Sequence, residues 1–141
     1  MSTQATPQDA ELILKLYDLR REPVMREARA FFVQFSPQSF DDVLAVVNAW
    51  GKKEQAYLRQ VTGYWEMAAS LVLRGALDPD LFLDSNAEGI LIYAKYHHFH
   101  VETEKQSGNP FMRNTAALIE KYDTAKKLHE GFLRSLGLAR S

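Results

Sequence analysis

Apolar residues recur three and four positions apart along almost the whole chain, and no stretch alternates apolar and polar positions for long. That period belongs to helices, since a strand would repeat every second residue. Thr6-Pro7 reads as a cap followed by proline at the first helical position. Leu12, Ile13, Leu16 and Leu19 then form an inward stripe. Pro23 interrupts it, as a break or a kink. A second helix follows with Val24, Met25, Ala28, Phe31, Phe32 and Phe35 on one face and Arg26, Glu27, Arg29 and Gln34 on the other. Ser39-Phe40-Asp41-Asp42 resembles a capping box with aspartate in the place of glutamate. It opens a helix whose inner face is Phe40, Val43, Leu44, Val46, Val47 and Trp50.

The longest regular pattern comes next. Tyr57, Leu58, Val61, Tyr64, Trp65, Ala68, Leu71 and Val72 share one side, and Gly75 supplies a stop. Asp78-Pro79 starts a short helix carrying Leu81, Phe82 and Leu83. From Asn86 to about Gln106 the pattern predicts one long helix, apolar around most of its circumference and therefore central. Gly108-Asn109-Pro110 is the sharpest break, and a final helix carries Ala116, Leu118, Ile119, Tyr122, Ala125, Leu128, Phe132, Leu133 and Leu136 as far as Gly137. The prediction is an all-α antiparallel bundle of five to six main helices plus one short one, a single domain over residues 1–141, with Trp50 and Trp65 in its core.

Composition narrows the function classes. At 141 residues, with 46% hydrophobic and 25% charged residues, the chain is an ordinary globular domain. It has no cysteine, which removes disulfides, thiolate metal sites and cysteine nucleophiles. Seventeen basic and eighteen acidic residues give a net charge of −1, so there is no general pull toward nucleic acid or anionic lipid. No signal-peptide pattern and no apolar run of membrane-spanning length occurs, so the expected setting is the cytoplasm. Arg20, Arg21, Arg26 and Arg29 are interleaved with Glu22 and Glu27, the pattern of a solvated mixed-charge face and not of a phosphate-binding patch.

Common chemistries are missing. There is no glycine-rich phosphate loop, no nucleophile elbow and no His-Glu-x-x-His pair. A di-iron bundle needs Glu-x-x-His on two helices, and no glutamate here has histidine three residues later. No cofactor, no metal centre and no enzymatic activity is expected.

The polar residues that stand out are Tyr93, His97, His100 and Glu104. On a continuous helix at about 100° per residue they fall within roughly 60° of one face, although Tyr93 and Glu104 would lie some 16 Å apart along the axis. His129, in the middle of the final apolar stripe, is the candidate to join them from another helix. This face is either a ligand or metal site or a hydrogen-bonded network that fixes helix packing. His98 points elsewhere and reads as a surface residue. The aromatic residues Phe31, Phe32, Phe35, Phe40, Trp50, Tyr96 and Phe99 read as core, or alternatively as the lining of an apolar pocket for a small hydrophobic molecule. Glu66 reads as a surface charge or an inter-helix salt bridge.

Tyr64-Trp65-Glu66, then Leu71-Val72, then Gly75-Ala76-Leu77-Asp78-Pro79-Asp80-Leu81 resembles a pattern in small bacterial all-helical proteins of unknown function. The resemblance spans about residues 10–125. It implies a helical bundle and no catalytic residues. The function expected is a non-enzymatic interaction or structural module, with a protein partner or self-association. The alternative is a small-ligand or metal-binding bundle that uses the Tyr/His/Glu face.

Overall fold

The computed structural model describes residues 4–138. Among them there is no strand, and 76% are helical, far above the third or so typical of soluble proteins. The order is α1 (Pro7–Leu19), α2 (Pro23–Gln34), α3 (Phe40–Val47), α4 (Lys53–Leu73), α5 (Pro79–Ser85), α6 (Glu88–Lys95), a 3-10 turn (His97–Phe99), α7 (His100–Ser107), α8 (Arg113–Lys121) and α9 (Asp123–Ser135).

Local chemistry starts most of these helices where the sequence pattern places them. Thr6 Oγ1 accepts from Asp9 N at 3.2 Å while Asp9 Oδ2 accepts from Thr6 N at 2.7 Å, which satisfies two otherwise orphaned donors. The second oxygen of Asp9 accepts from Asp78 N at 3.0 Å and so ties α1 to the start of α5. Those bonds, led by that from the Thr6 amide, hold the Asp9 carboxyl below its usual range. Pro23 breaks the chain: α1 ends before it, Glu22 caps Met25 N at 2.9 Å, and proline takes the first position of α2. Ser39 caps Asp42 N as expected, but Asp42 reaches back to Gln38 N and not to the cap residue itself.

α4 is the axis of the molecule. It packs on α2, α3, α6 and α8, with Val61, Trp65, Ala68, Ala69 and Val72 buried. Trp65, at 2% exposure, is as deeply buried as the pattern predicts. It needs a glycine opposite: a β-carbon at Gly89 would lie 3.0 Å from Trp65 Cβ. The indole N–H donates to Glu88 at 3.2 Å, and Arg29 grips the same carboxylate through Nε at 2.8 Å and Nη2 at 3.1 Å. The half-buried Tyr64 donates its hydroxyl to the Leu16 carbonyl, fastening α1 to α4.

Several expectations are corrected. Trp50 is 69% exposed, because α3 ends at Val47 and the indole belongs to the turn that follows, with Arg59 5.8 Å from its ring centroid. Leu19 and Val24 are exposed because they flank the Pro23 break. The long helix expected over 86–106 is three pieces, and Val101, turned away by the break, faces solvent. The last helix is two, divided at Tyr122, whose backbone is extended (φ −114°, ψ 126°). Lys95, within the apolar run before the break, is buried, and its ammonium donates to the carbonyls of Phe32, Val33 and Phe35. It neutralises the negative end of α2 and pins α6 to it. Burial draws its pKa down.

Candidate functional site

Two neighbouring regions collect the polar chemistry. The first contains the histidines. Tyr96 ends α6 in the bridge region (φ −95°, ψ 10°), and the chain turns once as a 3-10 helix before α7 begins at His100. That break brings the His100 ring back over Tyr93, with centroids 4.1 Å apart, and sets His100 Nε2 3.0 Å from the Tyr93 carbonyl. A carbonyl only accepts, so the imidazole proton sits on Nε2. His129 of α9 joins from the other side, 5.4 Å from Tyr93 and 6.1 Å from His97; His97 and His100 are 6.2 Å apart. Four of the five residues singled out from the sequence therefore converge: Tyr93, His97, His100 and His129. Glu104 does not. It is exposed on α7, a full turn beyond His100. His98 is exposed, as expected.

The cluster is built for neutral imidazoles. Burial pushes the His100 pKa down to about 4, against a smaller upward pull from the Tyr93 carbonyl; charge on His97 and His129 would lower it further. Burial also lowers His129, again helped by His97, while Glu130 pulls the other way. Burial raises the Tyr93 hydroxyl. No set of three or more His, Asp or Glu side chains among the described residues has the geometry to hold a metal ion.

The second region is a cavity of about 280 Å³ between α3, α4, α7 and the segment 108–112. Phe40, Val43, Leu44 and Val47 of α3 form one wall, and Leu58, Thr62 and Glu66 of α4 another. Tyr96, Thr103, Phe111 and Met112 close it, and the exposed Gln106, Asn109 and Pro110 mark its mouth. Phe111 joins the two regions: its ring stacks on Tyr96 at 4.4 Å and faces His100 at 6.2 Å.

Glu66 organises this wall. Its carboxylate accepts from Asn114 N at 2.8 Å, Thr115 N at 2.9 Å and Thr115 Oγ1 at 2.8 Å. It is thus neither a free surface charge nor half of a salt bridge; it is the cap of α8, supplied by α4. The helix has no cap of its own, since the residue in that place is Met112. Met112 is buried in the left-handed region (φ 47°, ψ 57°), a conformation that costs a non-glycine residue of order 1 kcal/mol and persists only where the surroundings enforce it.

Two hydroxyls on the closing side of the cavity are shut off from it as well as from solvent. Thr62 donates to Leu58 O at 2.7 Å, Ser107 donates to Thr103 O at 3.0 Å, and Glu66 is fully engaged. Tyr96 Oη and Thr103 Oγ1 are buried and have no partner; among the described residues they share that condition with His129 Nε2 alone. Tyr96 is 1% exposed and Thr103 9%. Tyr96 and Phe40 stand out in the sequence as possible pocket lining; Thr103, Glu66 and Met112 carry no such signal. For α8 the one available signal was a helix start without a capping residue.

An all-helical domain with an apolar cavity and a packed histidine cluster is the class that fold and geometry define. The chain belongs to the family described as Domain of unknown function (DUF4760), whose model matches residues 5–122. The match covers both regions except His129. No curated protein and no solved structure matches the chain. No helix among the described residues is long and apolar enough to cross a membrane.

Proposed function

We propose that this protein is a non-enzymatic, cytoplasmic binding module that takes a small apolar molecule into the cavity between α3, α4 and α7. The observation that carries this reading is an apolar space of about 280 Å³ walled by Phe40, Val43, Leu44 and Val47 of α3, Leu58 of α4, and Phe111. Ligand sites are concave and mainly apolar, with a few convergent polar groups. A strained residue at the wall, Met112, fits the same reading. No catalytic step is assigned, because the one carboxylate on the wall is committed to α8.

The test is thermal unfolding of the full chain with increasing naphthalene. A ligand that binds only the folded form raises the melting temperature with concentration, and Leu44→Trp, which fills the cavity, abolishes the rise. A melting temperature indifferent to the probe sinks the proposal.

The interaction module expected first from the sequence is kept as the second reading, supported by Leu14 and Tyr17 exposed on the outer side of α1. Its readout is oligomeric state: sedimentation of the wild type against Leu14→Glu distinguishes a self-associating face from an idle one.

A further inference from the structure

We infer that the cavity takes a small amphipathic carboxylate, with its apolar body between α3, α4 and α7 and its head on the guanidinium of Arg59. The inference rests on the cavity being the binding site proposed above, and it names the class of ligand.

The polar side of the cavity is one stripe of α4. Arg59, Thr62 and Glu66 all line it, three and four residues apart and therefore on one helix face. Two of them are already engaged. Thr62 donates to the Leu58 carbonyl at 2.7 Å, and the Glu66 carboxylate holds the first amides of α8. Arg59 is different. Its Nε donates at 3.0 Å to Oε1 of Gln55, which is buried, and its guanidinium lies 5.8 Å from the centroid of the Trp50 ring. Those two contacts hold the planar group in place. Its two terminal nitrogens have no hydrogen-bond or ion-pair partner among the described residues. Such a fork matches a carboxylate, which accepts from both nitrogens at once.

Charge decides the head. An ammonium would meet the like charge of Arg59 and find Glu66 taken by three donors. A dianionic phosphate brings one charge more than Arg59 can match. A carboxylate brings one, and because Arg59 is exposed the head keeps water on one side, so no bare ion is buried. Glu66 does not repel it strongly. Seven residues of helix set the two about 10 Å apart along the axis, beyond the screening length of about 8 Å at physiological salt, and the start of α8 already offsets the Glu66 charge. Size fixes the body. An apolar cavity of about 150 Å³ accepts benzene, so a space of about 280 Å³ takes about ten heavy atoms.

Isothermal titration of the full chain at neutral pH with naphthalene, β-naphthoate and β-naphthamide tests this, the amide being the neutral match of the carboxylate. β-Naphthoate should bind about fivefold more tightly than β-naphthamide, the upper range for an exposed ion pair, and added salt should shrink that margin. Arg59→Gln should bring β-naphthoate to the level of β-naphthamide and leave naphthalene unchanged, which a merely structural role for Arg59 would not do. Equal binding of β-naphthoate and β-naphthamide by the wild type overturns the inference and leaves the cavity reading standing. A margin that survives Arg59→Gln overturns the assignment of the head to Arg59. Failure of all three probes to bind overturns the inference and the cavity reading together.

Discussion

The histidine cluster and the cavity lie on either side of Phe111, and they have solved the problem of buried polarity in opposite ways. In the cluster, the polar groups turn on one another. His100 Nε2–H donates to the Tyr93 carbonyl, which also accepts from Tyr96 N at 3.2 Å, and the rings of Tyr93, His97, His100 and His129 fill the space between α6, α7 and α9. In the cavity, the strong polar group, Glu66, is spent on holding α8, and the space itself is lined mainly by aliphatic and aromatic side chains. Packed rings with one internal hydrogen bond specify how helices meet. Apolar surface left uncovered in a concave space is where a second molecule gains most. Conspicuous residues therefore mark the structural region here, and inconspicuous ones mark the binding region.

The largest expected effect falls on the cavity side. Glu66→Ala removes three charge-assisted hydrogen bonds and leaves the first donors of α8 unpaired. Caps are worth about 0.5–2 kcal/mol, and hydrogen bonds to charged groups more than neutral ones. A loss of about 2–4 kcal/mol in urea unfolding is expected, together with loss of probe binding, because Met112 and Phe111 depend on where α8 begins. A loss under about 0.5 kcal/mol would show that the cap is dispensable and that the wall is held by something else.

On the cluster side the expected effect is a pH dependence. Unfolded, His100 takes up its proton near the ordinary value of 6.5; folded, it resists until about pH 4. Between those limits the unfolded chain binds the extra proton. Stability is therefore full above about pH 6.5, falls as pH drops toward 4, and levels off below. The loss is at most about 3 kcal/mol, reduced by the ring's partial exposure. His129 adds to it in the same direction. His100→Phe keeps a ring and deletes the titration, so the wild type should lose more stability than the variant across this window. Parallel pH profiles would mean that His100 is not shielded as the geometry requires. The Asp9 carboxyl acts lower, where pH falls below its ordinary value of 3.8, and does not mask the comparison.

How much of this was legible depends on whether a feature is local. Thr6-Pro7, the Pro23 break and the Trp65 stripe could be read because period and cap chemistry act within one helix; Tyr93, His97, His100 and His129 stood out by residue type, but they meet across a helix break and from a second helix. The break after Tyr96 could not: no proline or glycine marks it, and the chain departs from α geometry among buried aromatic rings. Glu104 was placed on the cluster face by assuming that the helix continued, and Trp50 in the core by extending the α3 period past its end. The division at Tyr122 carries no marker either. The cavity was hardest, because its wall comes from four separate segments. Thr103 alone looks like any helical threonine, and Glu66 looks like a surface charge until α8 is seen to lack its own cap.

A smaller effect, of the opposite sign, separates the regions further. His100→Ala should lower stability by about 2 kcal/mol, since it deletes a satisfied hydrogen bond and part of a packed ring. Tyr96→Phe deletes a hydroxyl that has no protein partner. It should leave stability unchanged or raise it by up to about 1 kcal/mol, because the desolvation cost disappears with the group. Equilibrium unfolding of both variants under one condition makes the comparison. A Tyr96→Phe loss matching that of His100→Ala would mean that the phenol is bonded in the folded protein.

The smallest expected effect is none at all, and it bears on the assignment of roles. Zinc bound by imidazoles needs nitrogens about 2.0–2.1 Å from the metal, and structural sites usually have four ligands. The His97 ring centroid is 6.2 Å from that of His100 and 6.1 Å from that of His129, and His100 Nε2 is committed to the Tyr93 carbonyl. Glu104, the carboxylate that the helical period would align with His100, lies a turn away on the surface. Holding a metal would require His100 to give up its hydrogen bond and the rings to leave their stack. Zinc or a chelator should therefore leave the melting temperature of the wild type where it was. A rise that grows with zinc concentration would show a site that binds only the folded form, and if His97→Ala and His129→Ala each removed it, the cluster would become the functional region and the cavity the bystander.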